Sequence, residues 1–223
     1  MPSPPVDQWC LVVPVKRLAS AKTRLAEVAG EHRVDLALAF ALDTATAALA
    51  SDAVRAVIVV THEPEALRTL TELGALVVSD EPDAGLNPAL VHGATVAARA
   101  HPGTAVGALS ADLPSLRPDE LSAALAAAMD VGTAFVRDAK GSGTTTLLAR
   151  RAGDFAPAFG PESAAAHLRG GAVELHGDAF PSLRQDVDTA ADLEQALAMG
   201  VGPHTAAVAG RLPTVGPRQT LRR

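Results

Sequence analysis

Asp112, Asp186 and Asp188 are the residues whose types and settings suit a divalent cation in this 223-residue chain. Asp112 follows the apolar run 105–110 (AVGALS) and precedes Leu113-Pro114, which sets it at the end of a strand. An aspartate before a proline-containing turn is equally common as a turn residue. Asp186 and Asp188 lie two apart at the end of 183–187 (LRQDV), which reads as extended. Residues two apart in a strand face the same way. Two carboxylates on one face repel unless one is protonated or a cation sits between them. The alternative is that Asp188 only caps the last helix and Asp186 is solvated. If the three converge, they offer hard oxygen ligands suited to Mg²⁺, with Mn²⁺ as the alternative. Spacing alone does not bring them together.

The second group of residues is basic. Residues 12–25 read VVPVKRLASAKTRL, an apolar strand that turns into a loop bearing Lys16, Arg17, Lys22 and Arg24. Two of the three lysines in the chain lie here. A cationic loop directly after an N-terminal strand suits a polyanion such as a triphosphate; the competing reading is a solvated, charged helix start. A third group is 140–146 (KGSGTTT), a Gly-rich hydroxyl loop that can offer N–H groups to phosphate or carboxylate. It lacks the strand–GxxxxGK[ST]–helix setting of a P-loop and can equally be a hairpin turn. Residues 159–163 (FGPES) read as a helix start with Pro161 at the first helical position. His167, four residues after Ser163, falls on the same helical face, although a surface histidine is the commoner case.

These groups need elements to hold them. Strands are predicted at 9–15, 54–60, 75–78, 105–110, 133–136, 145–149, 172–175 and 183–187, and helices at 31–50, 63–73, 87–99, 118–129 and 190–199. The 31–50 helix shows apolar residues at three- and four-residue steps. The 87–99 helix is expected to start with Asn87 as N-cap and Pro88 at the first position. Alternation of strand and helix through the first half predicts a mostly parallel sheet flanked by helices, with an antiparallel excursion in the second half. Ligands in such sheets bind at the carboxyl ends of the strands. The basic loop, the 80–87 loop and Asp112 all fall there. Residues 1–201 read as one domain, and 202–223, which hold four arginines and no acidic residue, as a basic and disordered tail.

Composition narrows the function. A net charge of −6 and 3% aromatic content argue against nucleic-acid binding. The hydrophobic content of 48% supports a sizeable core built from Ala, Val and Leu. A single cysteine, Cys10, excludes an internal disulfide framework and reads as a small core residue. The Ala-rich stretch 34–50 is broken by Asp43 and threonines and is not a membrane span. No signal peptide is visible, so a soluble, cytoplasmic protein is expected.

Taken together, VPVKRLASAKTRLA (13–26), GLNPAL (85–90), LSADLPSL (109–116), GSGTTTLLA (141–149), FGPESAAAHLRGGA (159–172) and DVDTAADL (186–193) resemble the phosphoenolpyruvate or 2-phospho-L-lactate guanylyltransferases of coenzyme F-420 biosynthesis. The resemblance spans nearly the whole chain and implies a Rossmann-like nucleotidyltransferase fold. The broader relatives usually carry a glycine-rich loop and an arginine after strand one, where this chain has Leu-Ala-Ser-Ala. That departure disfavours a sugar-phosphate or molybdopterin nucleotidyltransferase. GSGTTT, in place of a Gly-Thr-Asn sequence, leans toward phosphoenolpyruvate as the acceptor, with 2-phospho-L-lactate as the alternative. A non-catalytic nucleotide-binding regulator is the reading from another class.

By resemblance, Thr144, Gly160 and Ser163 would hold phosphoenolpyruvate, and Asp112, Asp186 and Asp188 would hold Mg²⁺. Lys16, Arg17, Lys22, Arg24 and Asn87 would hold GTP, with Lys16, Lys22 and Asp112 catalytic. The next enzyme of the coenzyme F-420 pathway is then an expected partner. A phosphate monoester has its second pKa near about 6, so the acceptor is already anionic and no general base is required. The obstacle is bringing two polyanions together, which the basic loop and a metal site would address.

Overall fold

Residues 9–15 are buried almost throughout, which is possible only where a strand is covered on both faces. The computed structural model describes residues 8–16, 18, 22–80 and 83–212. In chain order, β1 (Trp9–Val15) is followed by α1 (Ala26–Ala29), α2 (Arg33–Leu49), β2 (Val54–Thr61), α3 (Pro64–Glu72), β3 (Leu76–Val78) and α4 (Leu86–Ala100). Then come β4 (Ala105–Leu109), α5 (Pro118–Met129), β5 (Thr133–Arg137), β6 (Thr144–Ala149), α6 (Ser163–Arg169) and β7 (Val173–Glu174). The chain closes with α7 (Pro181–Arg184), α8 (Ala190–Met199) and α9 (Pro203–Ala209).

The seven strands form one sheet in the order β3-β2-β1-β4-β6-β5-β7. The pairs β1–β2, β1–β4, β2–β3 and β5–β7 are parallel, while β6 runs antiparallel to both β4 and β5. The antiparallel excursion is therefore the single reversed strand β6. Alternate residues of β1 enter opposite cores. Trp9, Leu11, Val13 and Val15 pack with α2, α3 and α5 on one face, and Cys10 and Val12 pack with α4 on the other. Cys10 is a buried, free core cysteine, as its setting predicts.

On the second face α4 lies unusually close to the sheet. A Cβ at Gly93 would stand 2.4 Å from Val12 Cγ1 and 2.8 Å from Val60 Cγ2, so only glycine allows the approach. Ala89, Leu90, Ala94 and Ala97 are buried along the same helix. Burial of Leu90 alone contributes about 1.5–3 kcal/mol. This packing fixes the N-terminal end of α4 at the carboxyl edge of β1.

Four expectations are corrected. Residues 183–187 are not a strand: Pro181 starts the short helix α7, and the chain then runs irregularly through Gln185. Pro161 precedes α6, which begins at Ser163 after Glu162 adopts φ 55°, ψ 30°. The N-cap of α4 is Gly85, so Asn87 lies inside the helix. The stretch expected as a tail begins with α9, which folds onto α2. The buried Asp43 carboxylate in α2 accepts the His204 N–H at 3.1 Å and the Thr205 N–H at 2.7 Å, capping α9 from outside it. Val208 joins Leu36 and Phe40 in a third apolar cluster. Among the described residues, no helix is long and apolar enough to cross a membrane.

Candidate active site

Asp112 follows β4 and is held from both sides. The Thr44 hydroxyl donates to Ala111 O at 3.4 Å and accepts the Leu113 N–H at 3.1 Å, bracketing the residue between them. Asp112 O accepts the Val187 N–H at 3.1 Å, which draws the 186–188 segment alongside. Asp188 is placed by the start of α8. Thr189 is the N-cap of that helix and forms a capping box with Asp192. Asp192 also accepts the Asp188 N–H at 3.0 Å and the Lys140 ammonium at 2.9 Å. The Asp188 side chain therefore has no capping duty, and one of the two competing readings of that residue falls away.

The three carboxylates meet. Asp112, Asp186 and Asp188 each present an oxygen within 4.8 Å of the others. Burial, and then the charges of Asp112 and Asp188, push Asp186 up to about 7. Its Oδ1 is buried and has no hydrogen-bond partner. A buried carboxylate oxygen with no donor, beside two more carboxylates, is a set of hard donors that a divalent cation would satisfy.

Lys22 also belongs to this cluster. Its ammonium donates to Asp188 at 2.6 Å and to Asp112. Burial alone would lower its pKa, but the Asp112 and Asp188 carboxylates outweigh it and hold the ammonium above the usual lysine range. The backbone of Lys22 takes the left-handed conformation, φ 54°, ψ 38°. A non-glycine residue costs roughly 1–2 kcal/mol there. The sequence reading aimed Lys22 at phosphate; here its contacts are the carboxylates.

Lys16 donates to Asp80 at 2.8 Å. Asp80 is 4% exposed, and its other oxygen is buried with no partner. Arg24 is exposed in the last turn of a short 3-10 segment, and Arg17 lies outside the described residues. A cleft of about 280 Å³ opens between these groups, walled by Val15, Lys16, Lys22, Leu86, Asp112 and Asp188 among others. Asn87 is next to Leu86, but its amide is committed. Its Oδ1 accepts the Phe159 N–H at 2.8 Å and its Nδ2 donates to Phe159 O at 3.0 Å. It clamps the loop before α6.

Of the two readings of the Gly-rich loop, the hairpin turn is the one that holds. Asp138 Oδ1 accepts the Gly141 N–H at 2.7 Å and the Ser142 N–H at 3.0 Å, so these amides turn the β5–β6 hairpin and are not free for a ligand. Thr144, which opens β6, is 7% exposed and faces His167. Ser163 is buried one turn before His167 on α6. Gly160, at φ 143°, makes the turn into that helix with a conformation L residues rarely adopt. The ladder ties this group to the carboxylates, because the Ser110 N–H, two residues before Asp112, donates to Thr145 O at 2.8 Å.

Sequence reasoning undervalued three residues. Asp138, directly before AKGSG, carries the signature of a side chain that closes a turn on its own backbone. Asp192 stands at the third position after Thr189, the spacing of a capping box. His167, for which a surface position is the commoner expectation, is 3% exposed.

The family model described as guanylyl transferase CofC like matches residues 9–215.

The chain belongs to this family.

Among curated relatives of the family, the phosphoenolpyruvate guanylyltransferase of Thermomonospora curvata is 57% identical over 209 residues, covering 94% of this chain and 92% of the relative. That of Streptomyces coelicolor is 57% identical over 210 residues, covering 94% and 99%. Among solved structures, a nucleotidyl transferase from Methanothermobacter superposes with a TM-score of 0.57 at 17% identity, covering 86% of this chain and 98% of that one. The CofC-like chain therefore carries its chemistry on a nucleotidyltransferase fold.

Proposed function

We propose that this chain transfers the GMP moiety of GTP to phosphoenolpyruvate in the cytoplasm, releasing pyrophosphate, as a step of coenzyme F-420 biosynthesis. The observation that carries this reading is the convergence of Asp112, Asp186 and Asp188 with Lys22 at one end of the cleft. In the reaction a phosphate oxygen of the acceptor bonds to the α-phosphorus of GTP, and the bond from that phosphorus to the bridging oxygen of pyrophosphate breaks. The acceptor is already anionic at neutral pH, so no proton has to be removed.

Asp112, Asp186 and Asp188 would hold Mg²⁺ or Mn²⁺. Such a cation supplies charge neutralisation at the α-phosphate. Lys16 and Lys22 line the cleft, and a cation on the carboxylates would compete with the Lys22 ammonium for Asp112 and Asp188, leaving it, with Lys16, to face the negative charge that grows on pyrophosphate. Arg24, exposed in the same basic stretch, extends that role toward solvent, and Arg17, which lies outside the described residues, belongs to that stretch by sequence alone. Thr144, Gly160 and Ser163 bind the acceptor beside the β4–β6 ladder. Asn87 serves the nucleotide side through the α4 terminus and the acceptor side through Phe159.

The test is pyrophosphate release by purified protein with GTP, Mg²⁺ and either phosphoenolpyruvate or 2-phospho-L-lactate, coupled to the enzyme that consumes the product. Turnover with phosphoenolpyruvate is the expected result, and no turnover with either acceptor overturns the reading. Asp112→Asn should lower turnover by at least about 100-fold, as expected when a group that organises transition-state charge is neutralised. The variant should keep its fold.

A further inference from the structure

His167 is buried in α6, with the Phe159 ring 5.2 Å and the Phe135 ring 5.8 Å from its own. Burial among these groups lowers its pKa. Its two nitrogens have different partners. Ala158 N lies 3.0 Å from Nε2, and Thr144 Oγ1 lies 2.9 Å from Nδ1. A main-chain N–H can only donate, so Nε2 must be the acceptor and carries no proton. The proton of the neutral ring is then on Nδ1, and His167 donates to the Thr144 hydroxyl.

That assignment polarises Thr144. Its oxygen accepts from the ring, and the hydroxyl proton is turned away from His167. Among the described residues, no other side-chain hydrogen bond engages that hydroxyl. The proton is available to an oxygen that can only accept, as carboxylate and phosphate oxygens do. Without the ring proton, the same hydroxyl could spend its own proton on the imidazole. Two walls of the acceptor group also meet on this ring: the Ala158–Gly160 loop at Nε2 and the start of β6 at Nδ1.

We propose that His167 is a positioning residue for the acceptor. Its Nδ1–H tautomer, locked by the Ala158 N–H, orients the Thr144 hydroxyl to donate to an anionic oxygen of the acceptor. This rests on the reading that Thr144 binds the phosphoacid.

Three variants separate the two arms of the ring. His167→Asn retains a donor near the Nδ1 position, His167→Gln an acceptor near the Nε2 position, and His167→Phe neither. Steady-state kinetics with GTP and phosphoenolpyruvate should show His167→Phe raising KM for phosphoenolpyruvate by about tenfold, the size of one lost hydrogen bond to a charged group. KM for GTP should stay within about twofold, a change well below one hydrogen bond. His167→Asn should recover most of that loss and His167→Gln little of it. Thr144→Val added to His167→Phe should cost nothing more. Equal defects in Asn and Gln, or KM values for both substrates rising together, overturn the role of His167. If His167→Phe fails to fold, as read by circular dichroism, the Asn and Gln comparison decides. Absence of turnover by the unmodified chain instead overturns the activity itself.

Discussion

Lys22 donates to Asp188 at 2.6 Å across 166 positions of sequence, and the same ammonium also reaches Asp112. One lysine thus closes the first loop of the chain onto one of its last, and does so on the carboxylates that would hold a cation.

Lys22→Met should destabilise the protein when divalent cations are removed, because Asp112 and Asp188 then lose the ammonium that bridges them. Asp188 is 43% exposed, so the cost is discounted from that of a fully buried pair to about 1–2 kcal/mol. At this size each kcal/mol corresponds to roughly 2–4 °C in Tm. Thermal melts with EDTA and then with excess Mg²⁺ test it: the deficit should appear in the first and shrink in the second. Equal deficits in both would place the ammonium outside the cation's competition.

Asp186 predicts a pH dependence. Its folded-state value, pushed to about 7, lies above the ordinary 3.8, so between these values the folded chain binds more protons than the unfolded one. The contribution is therefore fully present below about pH 4 and is lost as pH rises through about 7. Asp186→Asn should flatten that decline in metal-free protein. Melting temperatures of the two proteins from pH 5 to 8 measure it, with the variant gaining on the wild type as pH rises.

Asn87→Ala distinguishes contact from support. Both polar atoms of the Asn87 amide are engaged by the Phe159 backbone. The variant should raise KM for the acceptor by about tenfold, the cost of leaving part of the loop unclamped, and KM for GTP by less. A larger change for GTP would return Asn87 to direct nucleotide contact.

Asp43→Ala should cost about 1–2 kcal/mol by uncapping α9, while leaving both KM values unchanged. A calorimetric scan and one kinetic measurement decide it. Altered KM would tie the C-terminal helix to the cleft.

Much of this arrangement was legible in the sequence, and the failures have physical causes. β1 and α5 were read to the residue, because continuous apolar burial and a proline at the first helical position are local signals. The convergence of the three aspartates could be posed but not decided. It depends on Val187 pairing with Asp112, a contact between distant segments. Residues 183–187 were misread because one turn of helix and a short extended run share the same apolar spacing. α9 was missed because its cap comes from Asp43 in another helix, although Pro203 marked its start. The hydrogen bonds of Asn87 and His167 are invisible to spacing, since each is defined by a main-chain partner in another element.

The capping box at Thr189 and Asp192 has a consequence for biosynthesis. Asp188 is set in place only once the first turn of α8 exists, and Asp186 arrives in the same short segment. A nascent chain that has already emerged with β1 through β4 and Asp112 has four of the seven strands of its sheet but only one of the three carboxylates that would hold a cation. Any cation site on these three carboxylates would thus be completed late in synthesis, after the strands of the sheet, so the ribosome releases a scaffold before it releases the last of the carboxylates.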